Sequence, residues 1–146
     1  AFAGDANEGS CVLKVSSAGA TLLLTGDIER RAEAALLRQQ RAALRADVLV
    51  VPHHGSKTSS GEAFVAAVSP RWALFPVGHL NRYRLPRDEV VTRYQAQGSE
   101  VRLTGLEGAI SLRLWENGVT PPQGYRHTNR RYWTHSPKQA TPVSVK

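Results

Sequence analysis

The alternation of apolar and polar positions predicts a strand hairpin followed by a helix at the start of the chain. Residues 11–15 and 20–25 are rich in Val and Leu, and the Ser-Ser-Ala-Gly stretch between them favours a turn. From residue 28 to about residue 45 the apolar positions recur at helical spacing, with Ala and Leu on one face and arginines mostly on the other. The first part of the chain is therefore predicted to be β-β-α.

Strands and helices continue to alternate through the middle of the chain. The pattern predicts strands at 47–52, 72–77, 100–104 and 109–115, and helices at 61–68 and 87–97. This order indicates an α/β fold, with helices covering a sheet. The periodicity stops beyond residue 117, where prolines interrupt a polar and basic segment. We therefore predict a folded body at residues 1–116 and a poorly ordered C-terminal tail at residues 117–146.

Composition limits the class of protein. A chain of 146 residues with 41% apolar and 21% charged residues suits one globular domain. It contains no apolar run of the roughly 20 residues that a membrane-spanning helix needs, so we expect a soluble chain. Its single cysteine, Cys11, excludes an internal disulfide framework and lies in an apolar stretch, which favours a core position over a catalytic one.

The net charge of +7 is concentrated at one end. Residues 117–146 hold five of the 19 basic residues and none of the 12 acidic ones, so the body is nearly balanced. Such a tail could attract phosphate or anionic lipid, or it could simply be a solvated terminus. Charge alone therefore does not identify a nucleic-acid-binding surface.

The residues best suited to chemistry follow the predicted strand at 47–52. His53 and His54 come directly after it, with Ser56 and Lys57 close behind. Ligands bind at the carboxyl ends of strands in α/β sheets, and imidazole is the commonest side-chain metal ligand. Adjacent histidines on an extended segment point to opposite faces, so one is expected to bind a metal unless Gly55 kinks the chain. A hydrogen-bonded loop pair without function is the alternative.

Asp27 occupies the equivalent position after the strand at 20–25. Gly26 allows close backbone approach, and a carboxylate can bridge two cations. The same residue also stands where the N-cap of the following helix belongs. A site shared with the histidine pair and a plain capping role both remain open.

The loop at 78–86 is predicted to reach the same edge of the sheet. His79, Asn81 and Arg82 could contact substrate there, and Arg84 and Arg87 add positive charge that could bind a phosphate backbone. A solvated surface loop is the alternative.

Several motifs together resemble one family over about residues 7–115. They are Asn7-x-x-Ser10, the Leu-Leu-Thr-Gly-Asp run at 23–27, the Pro-His-His-Gly-Ser-Lys-Thr-Ser run at 52–59, and Asn-Arg-Tyr-Arg-Leu-Pro at 81–86. The succession resembles the metallo-β-lactamase-like domain at the carboxyl end of ComEC, the DNA-internalisation competence protein. The resemblance implies the carboxyl-terminal half of a metallo-β-lactamase-like sandwich, a mixed sheet covered by helices.

The resemblance also implies a function and a set of site residues. The parent would be an inner-membrane protein that conducts single-stranded DNA during natural transformation, with this domain outside the cytoplasm. The domain would be a hydrolase, a nuclease dependent on zinc or manganese, in which Asp27 bridges two ions and His53 or His54 binds or adjoins them. On the same reading, DNA would be held by Ser56, Lys57, Asn81 and Arg82.

Departures from the family pattern modify that expectation. The His-x-His-x-Asp-His motif that supplies most metal ligands is absent, and Leu85 stands where many relatives have a histidine. We therefore expect the chain alone to bind metal weakly and to lack robust nuclease activity. The alternative is a non-catalytic DNA-binding module with a vestigial metal site.

The absence of this motif suggests that other parts of the protein complete the domain. The chain lacks an initiator methionine, which suggests a piece of a longer polypeptide. Its expected partners are DNA, the N-terminal half of the domain, and the membrane channel of the same polypeptide. The seam left by that half is expected to expose apolar sheet and to favour a homodimer.

Overall fold

A five-stranded sheet forms the centre of the computed structural model, which describes residues 6–129 and Tyr132. The strands lie in sequence order and are β1 (Leu13–Ser16), β2 (Thr21–Leu24), β3 (Val48–Val50), β4 (Trp72–Phe75) and β5 (Glu100–Leu103). β1 is antiparallel to β2, and all the other neighbours are parallel. The predicted hairpin and the predicted α/β class are confirmed.

Helices connect the parallel strands. They are α1 (Arg30–Gln40), which continues into a 3-10 turn at Arg41–Ala43, then α2 (Glu62–Val68) and α3 (Asp88–Ala96). Parallel neighbours need such crossovers, because a tight turn cannot return the chain to the same end of the sheet. The helix predicted at 28–45 is shorter at both ends than expected, whereas α2 and α3 lie within their predicted ranges.

One face of the sheet carries the core. Leu23, Leu49, Ala73 and Val101 lie opposite one another across β2 to β5. They belong to the same apolar cluster as buried helix residues, which include Ala32, Phe64, Val65, Val68, Val90 and Tyr94. This face of the sheet is thus buried under the helices, and in the central strands Val48 and Trp72 are buried on the opposite face as well.

The strand at one edge of this sheet, β1, exposes apolar side chains. Leu13 is 52% exposed and Val15 is 39% exposed, and both lie on the face opposite to Leu23. An exposed apolar edge strand is a surface on which another strand or sheet can pack. The predicted seam and the homodimer through it both stay predictions.

Short elements follow β5, and the last three of them fall within the predicted tail. They are α4 (Thr104–Glu107), β6 (Ile110–Ser111), β7 (Leu114–Trp115), β8 (Gly118–Val119), β9 (Gln123–Gly124) and α5 (Tyr125–Thr128). β6 pairs with β9 and β7 pairs with β8, so residues 117–129 are structured rather than irregular. The strand predicted at 109–115 is divided into β6 and β7, neither of which pairs with β5. The two-residue strands β8 and β9 have too little periodicity to be predicted from a sequence. The rest of the predicted tail, residues 130–131 and 133–146, lies outside the described residues, and the domain boundary at 116 stays a prediction.

Two further expectations concern single features. Cys11 is exposed ahead of β1, so its predicted core position is wrong; β1 begins two residues later and has no cover on that side. Within the described part of the chain, none of the helices has the length and apolar character needed to cross a membrane.

Candidate functional site

The carboxyl ends of β2 and β3 bring the predicted site residues together. Asp27 follows β2, and His53 and His54 lie in a 3-10 turn, Pro52–Gly55, after β3. The His53 N–H donates to the Gly26 carbonyl at 3.1 Å, and the Thr25 hydroxyl donates to the Val50 carbonyl at 2.8 Å. The two loops are therefore joined by hydrogen bonds, as expected for adjacent parallel strands that end at one edge.

Both histidines have a left-handed backbone. His53 has φ 47° and ψ 41°, and His54 has φ 55° and ψ 19°. Gly55 follows with φ 80°, so the kink expected at the glycine begins two residues earlier. Each non-glycine residue in this region costs about 1–3 kcal/mol, and such strain is typical of functional sites. The turn replaces the extended segment on which the two rings would point to opposite faces.

His54 faces Asp27. Its Nε2 lies 3.5 Å from Asp27 Oδ1, and its Nδ1 lies 2.8 Å from the Pro76 carbonyl oxygen. A carbonyl oxygen can only accept, so Nδ1 carries a proton, and Nε2 is the ring nitrogen directed towards the carboxylate. A metal-binding histidine characteristically donates its other ring N–H to a carbonyl or carboxylate in this way. His54 therefore has the geometry of a metal ligand.

His53 has different partners. Its Nδ1 lies 2.9 Å from Glu29 Oε1, and the Thr58 hydroxyl is 3.3 Å from the same nitrogen. The Asn7 amide donates to Glu29 Oε1 at 3.2 Å, which holds that carboxylate in place. The sequence left open which histidine faces the site, and the contacts associate His54 with Asp27 and His53 with Glu29. Glu29 carried no signal in the sequence beyond a favourable charge in the first turn of a helix.

Asp27 does not cap α1, so that alternative is wrong. The N-cap is Glu29, which makes no capping hydrogen bond with its side chain. The buried Glu8 carboxylate accepts instead from the N–H groups of Arg31 at 3.0 Å and Ala32 at 2.7 Å. An acidic group from an earlier segment thus satisfies the helix terminus, and the Asp27 side chain faces His54. Sequence reasoning missed Glu8 because it is more than 20 residues away from the helix it caps.

A second buried carboxylate supports the loop after the histidines. Glu33 is 2% exposed and accepts from the N–H of Ser60 and, at 2.8 Å, from the N–H of Gly61. Burial raises the pKa of Glu33, although these two hydrogen bonds act in the opposite direction. The Tyr94 hydroxyl donates to Ser60 Oγ at 3.0 Å, and burial raises the pKa of Tyr94 as well. The loop is therefore fastened to α1 and α3.

The predicted substrate-binding residues occupy two loops beside this site. Ser56 Oγ lies 3.0 Å from Thr58 Oγ1, and Lys57 is exposed. The Asn81 amide is engaged within its own loop, where its nitrogen donates to Leu85 O at 2.7 Å and its oxygen accepts from Leu85 N at 2.9 Å. Asn81 therefore shapes the loop, while the exposed Lys57 and Arg82 keep their cationic heads at the surface.

The donor set fits part of a metal centre. A carboxylate and a neutral imidazole are suitable ligands for zinc or manganese, but a stable protein site for zinc uses three or four ligands. Over residues 6–129 and Tyr132, no group of three or more His, Cys, Asp and Glu side chains is placed to hold an ion. Asp27 and His54 alone do not make a complete site.

Comparison with known proteins shows the family to which the chain belongs. No protein-family model matches the chain. It is 38% identical over 133 residues, 91% of its length, to "Competence protein ComA" of Neisseria gonorrhoeae. It is 36% identical over 107 residues, 73% of its length, to "ComE operon protein 3" of Bacillus subtilis. A third relative, "Uncharacterized protein YcaI" of Escherichia coli, is 44% identical over 112 residues.

The fold and site define an α/β protein with polar groups at the carboxyl ends of its parallel strands. The chain belongs to the ComEC family of competence proteins. It spans 19% of the Neisseria relative and 14% of the Bacillus relative, so it corresponds to a small part of each.

Proposed function

We propose that the chain is part of a DNA-uptake protein and contributes Asp27 and His54 to a divalent metal centre that acts on incoming DNA. One observation carries this proposal: His54 donates its Nδ1 proton to Pro76 and directs Nε2 towards Asp27. Membership of a competence family supports DNA as the substrate. The parent protein would lie in the inner membrane with this region outside the cytoplasm.

The remaining ligands would come from another part of the same polypeptide. On this proposal the chain is the carboxyl-terminal half of a metallo-β-lactamase-like sandwich, and the other half packs on the sheet. The exposed Leu13 and Val15 on β1 support a missing neighbour at that side. The membrane channel would belong to the part of the relatives that the chain does not span.

The site residues and the nearby cationic side chains have different roles in the proposed hydrolysis of DNA. Bound zinc or manganese would make a water molecule nucleophilic at neutral pH and stabilise the leaving oxygen. Asp27 and His54 provide ligands with fixed orientation. Glu29 holds Nδ1 of His53, which leaves Nε2 to exchange a proton with a reacting group. The exposed Lys57 and Arg82 attract the phosphate backbone.

Cleavage of DNA by the full-length protein tests the proposal. Asp27→Asn and His54→Gln are each expected to reduce the rate of phosphodiester cleavage at least about 100-fold, because each removes a ligand of the centre. His127→Gln is the matched control, since it changes an exposed histidine on α5 and should leave the rate unchanged. Cleavage at the wild-type rate by both Asp27 and His54 variants would contradict the proposal.

A non-catalytic DNA-binding module is the second candidate. It is favoured by the donor count, because the possible ligands on this edge approach each other in two separate pairs, Asp27–His54 and Glu29–His53, and no group of three or more is found within the described residues. The same assay separates the candidates. A module predicts salt-dependent binding of single- and double-stranded DNA by the full-length protein with no cleavage at any metal concentration.

A further inference from the structure

A recess of about 200 Å³ lies directly beside His54. It is formed between the end of β4 and the loop that follows it, and its walls include His54, Pro76, Val77, Asn81, Tyr83 and Leu85. The proposed function gives this recess no role. Its position next to the Asp27–His54 pair means that whatever occupies it lies within reach of the proposed reaction.

The walls of the recess are apolar, and their polar groups are already engaged. Val77 is buried and Leu85 is half-buried, so both offer carbon surface. The Asn81 amide is held by Leu85 N and O, and Nδ1 of His54 is held by the Pro76 carbonyl. The recess can therefore bind a flat apolar group, but it presents few free hydrogen-bonding groups with which to distinguish one such group from another.

An exposed aromatic ring forms one side. Tyr83 is 61% exposed, whereas a tyrosine in a folded protein usually buries most of its ring. The Arg82 guanidinium lies over that ring, 4.8 Å from its centroid, and its Nη2 donates to the Tyr83 hydroxyl at 2.6 Å. These two contacts hold the ring in place at the rim of the recess.

Positive charge lies on the loop that carries Tyr83. Residues 78–87 contain Arg82, Arg84 and Arg87 and no acidic residue, and all three arginines are exposed. An apolar recess with an aromatic side and a neighbouring cationic loop matches the two parts of a nucleotide, its base and its phosphate.

We propose that this recess binds one unpaired nucleobase of single-stranded nucleic acid, stacked on Tyr83, with the adjoining phosphate at Arg82. The inference rests on the proposed function, because it names the form in which that site takes its substrate. A base inside a duplex is stacked and paired, so only a single strand or an opened end can insert one. Because every base has a π-face and the recess has few free polar groups, binding is tolerant of sequence.

Fluorescence anisotropy with the whole 146-residue chain tests the proposal. The probes are a labelled single-stranded oligonucleotide, an oligonucleotide of equal length made of abasic sugars, and a duplex. Tyr83→Ala is expected to raise Kd for the base-containing single strand about 5- to 100-fold, and Tyr83→Phe is expected to preserve it. The abasic strand is expected to bind the wild-type chain more weakly and to be insensitive to Tyr83→Ala.

Trp115→Ala is the matched control, since Trp115 is a 53% exposed aromatic residue on β7, outside the recess. It should leave every Kd unchanged, and circular dichroism checks that each variant keeps its fold. Equal Kd values for base-containing and abasic strands, no effect of Tyr83→Ala, or no binding of any strand would overturn the proposal. The proposed function is judged separately by the Asp27 and His54 variants in the cleavage assay, so the two can fail independently.

Discussion

His53 and His54 are neighbours in the chain, yet each contacts a different acid. His54 lies against Asp27 and His53 against Glu29, at 3.5 Å and 2.9 Å. The left-handed turn that contains them separates their ring centroids by 6.4 Å and inclines the rings by 62°. On the proposed function, this division of partners would allow one imidazole to bind an ion while the other exchanges a proton.

Glu33 is a buried acid whose pKa is raised by burial, so we expect it to make the stability of the fold depend on pH. Its contribution to stability is complete below pH 4.5, where the acid is neutral in both folded and unfolded chains, and is lost as pH rises through its raised pKa. Glu33→Gln also turns an amide N–H₂ towards a backbone N–H, which costs about 1–3 kcal/mol of unfolding free energy. The deficit of the variant should therefore be largest in acid and should shrink towards neutral pH.

Urea unfolding of the wild type and Glu33→Gln between pH 4 and pH 8 measures that deficit. Glu62→Gln is the control, since Glu62 is an exposed acid at the start of α2 and should show little change at any pH. A Glu33→Gln deficit that stays constant across the range would show that Glu33 ionises in the fold as it does in the unfolded chain.

At the scale of elements, the tight packing of the histidine turn against its neighbours gives a second prediction. A Cβ on Gly55 would lie 2.7 Å from Phe75 Cε1 and 2.7 Å from Pro86 Cβ, and Gly55 has φ 80°. Gly98 has a similar φ of 83°, but a Cβ there would meet nothing within 4 Å. Gly98→Ala should therefore cost about 1–2 kcal/mol of unfolding free energy from its backbone alone, and Gly55→Ala about 1–3 kcal/mol more.

Denaturant unfolding of the two alanine variants compares these costs directly. Equal destabilisation at both positions would mean that the turn can move away from Phe75 and Pro86, and that the histidines are not held as tightly as the contacts indicate.

Much of this element-scale structure follows from local pattern. Periodicity predicted the five main strands and three long helices, and the rule on parallel strand ends placed Asp27 near the histidines. Two contacts were not predictable: the capping of the N-terminus of α1 by Glu8, and the contact of Glu29 with His53. Each joins residues that are more than 20 positions apart and follow no periodic pattern. The same holds for Tyr83, whose exposure and position beside His54 depend on the path of an irregular loop.

At the scale of the whole molecule, the site is open, and on the proposed function it is shared with another part of the polypeptide. The side chains of Asp27 and His54 are 44% and 45% exposed, which suits groups that meet further ligands from a neighbouring part of the polypeptide. The chain spans less than a fifth of the competence proteins it matches, so there is ample sequence to provide them. The basic loop with Tyr83 and the Asp27–His54 pair then form adjacent parts of one proposed DNA-processing surface.

Calorimetric titration with zinc and manganese tests most directly whether Asp27 and His54 supply some of the ligands of a metal centre. On the proposed function, we expect weak or undetectable binding by the 146-residue chain and tight binding by the full-length protein. In the full-length protein, His54→Gln should weaken binding by more than about 100-fold, beyond the 10- to 100-fold typical of an outer partner, and His53→Gln should weaken it less. Tight binding of two ions by the chain alone, or unchanged affinity in full-length His54→Gln, would show that Asp27 and His54 are not part of such a centre.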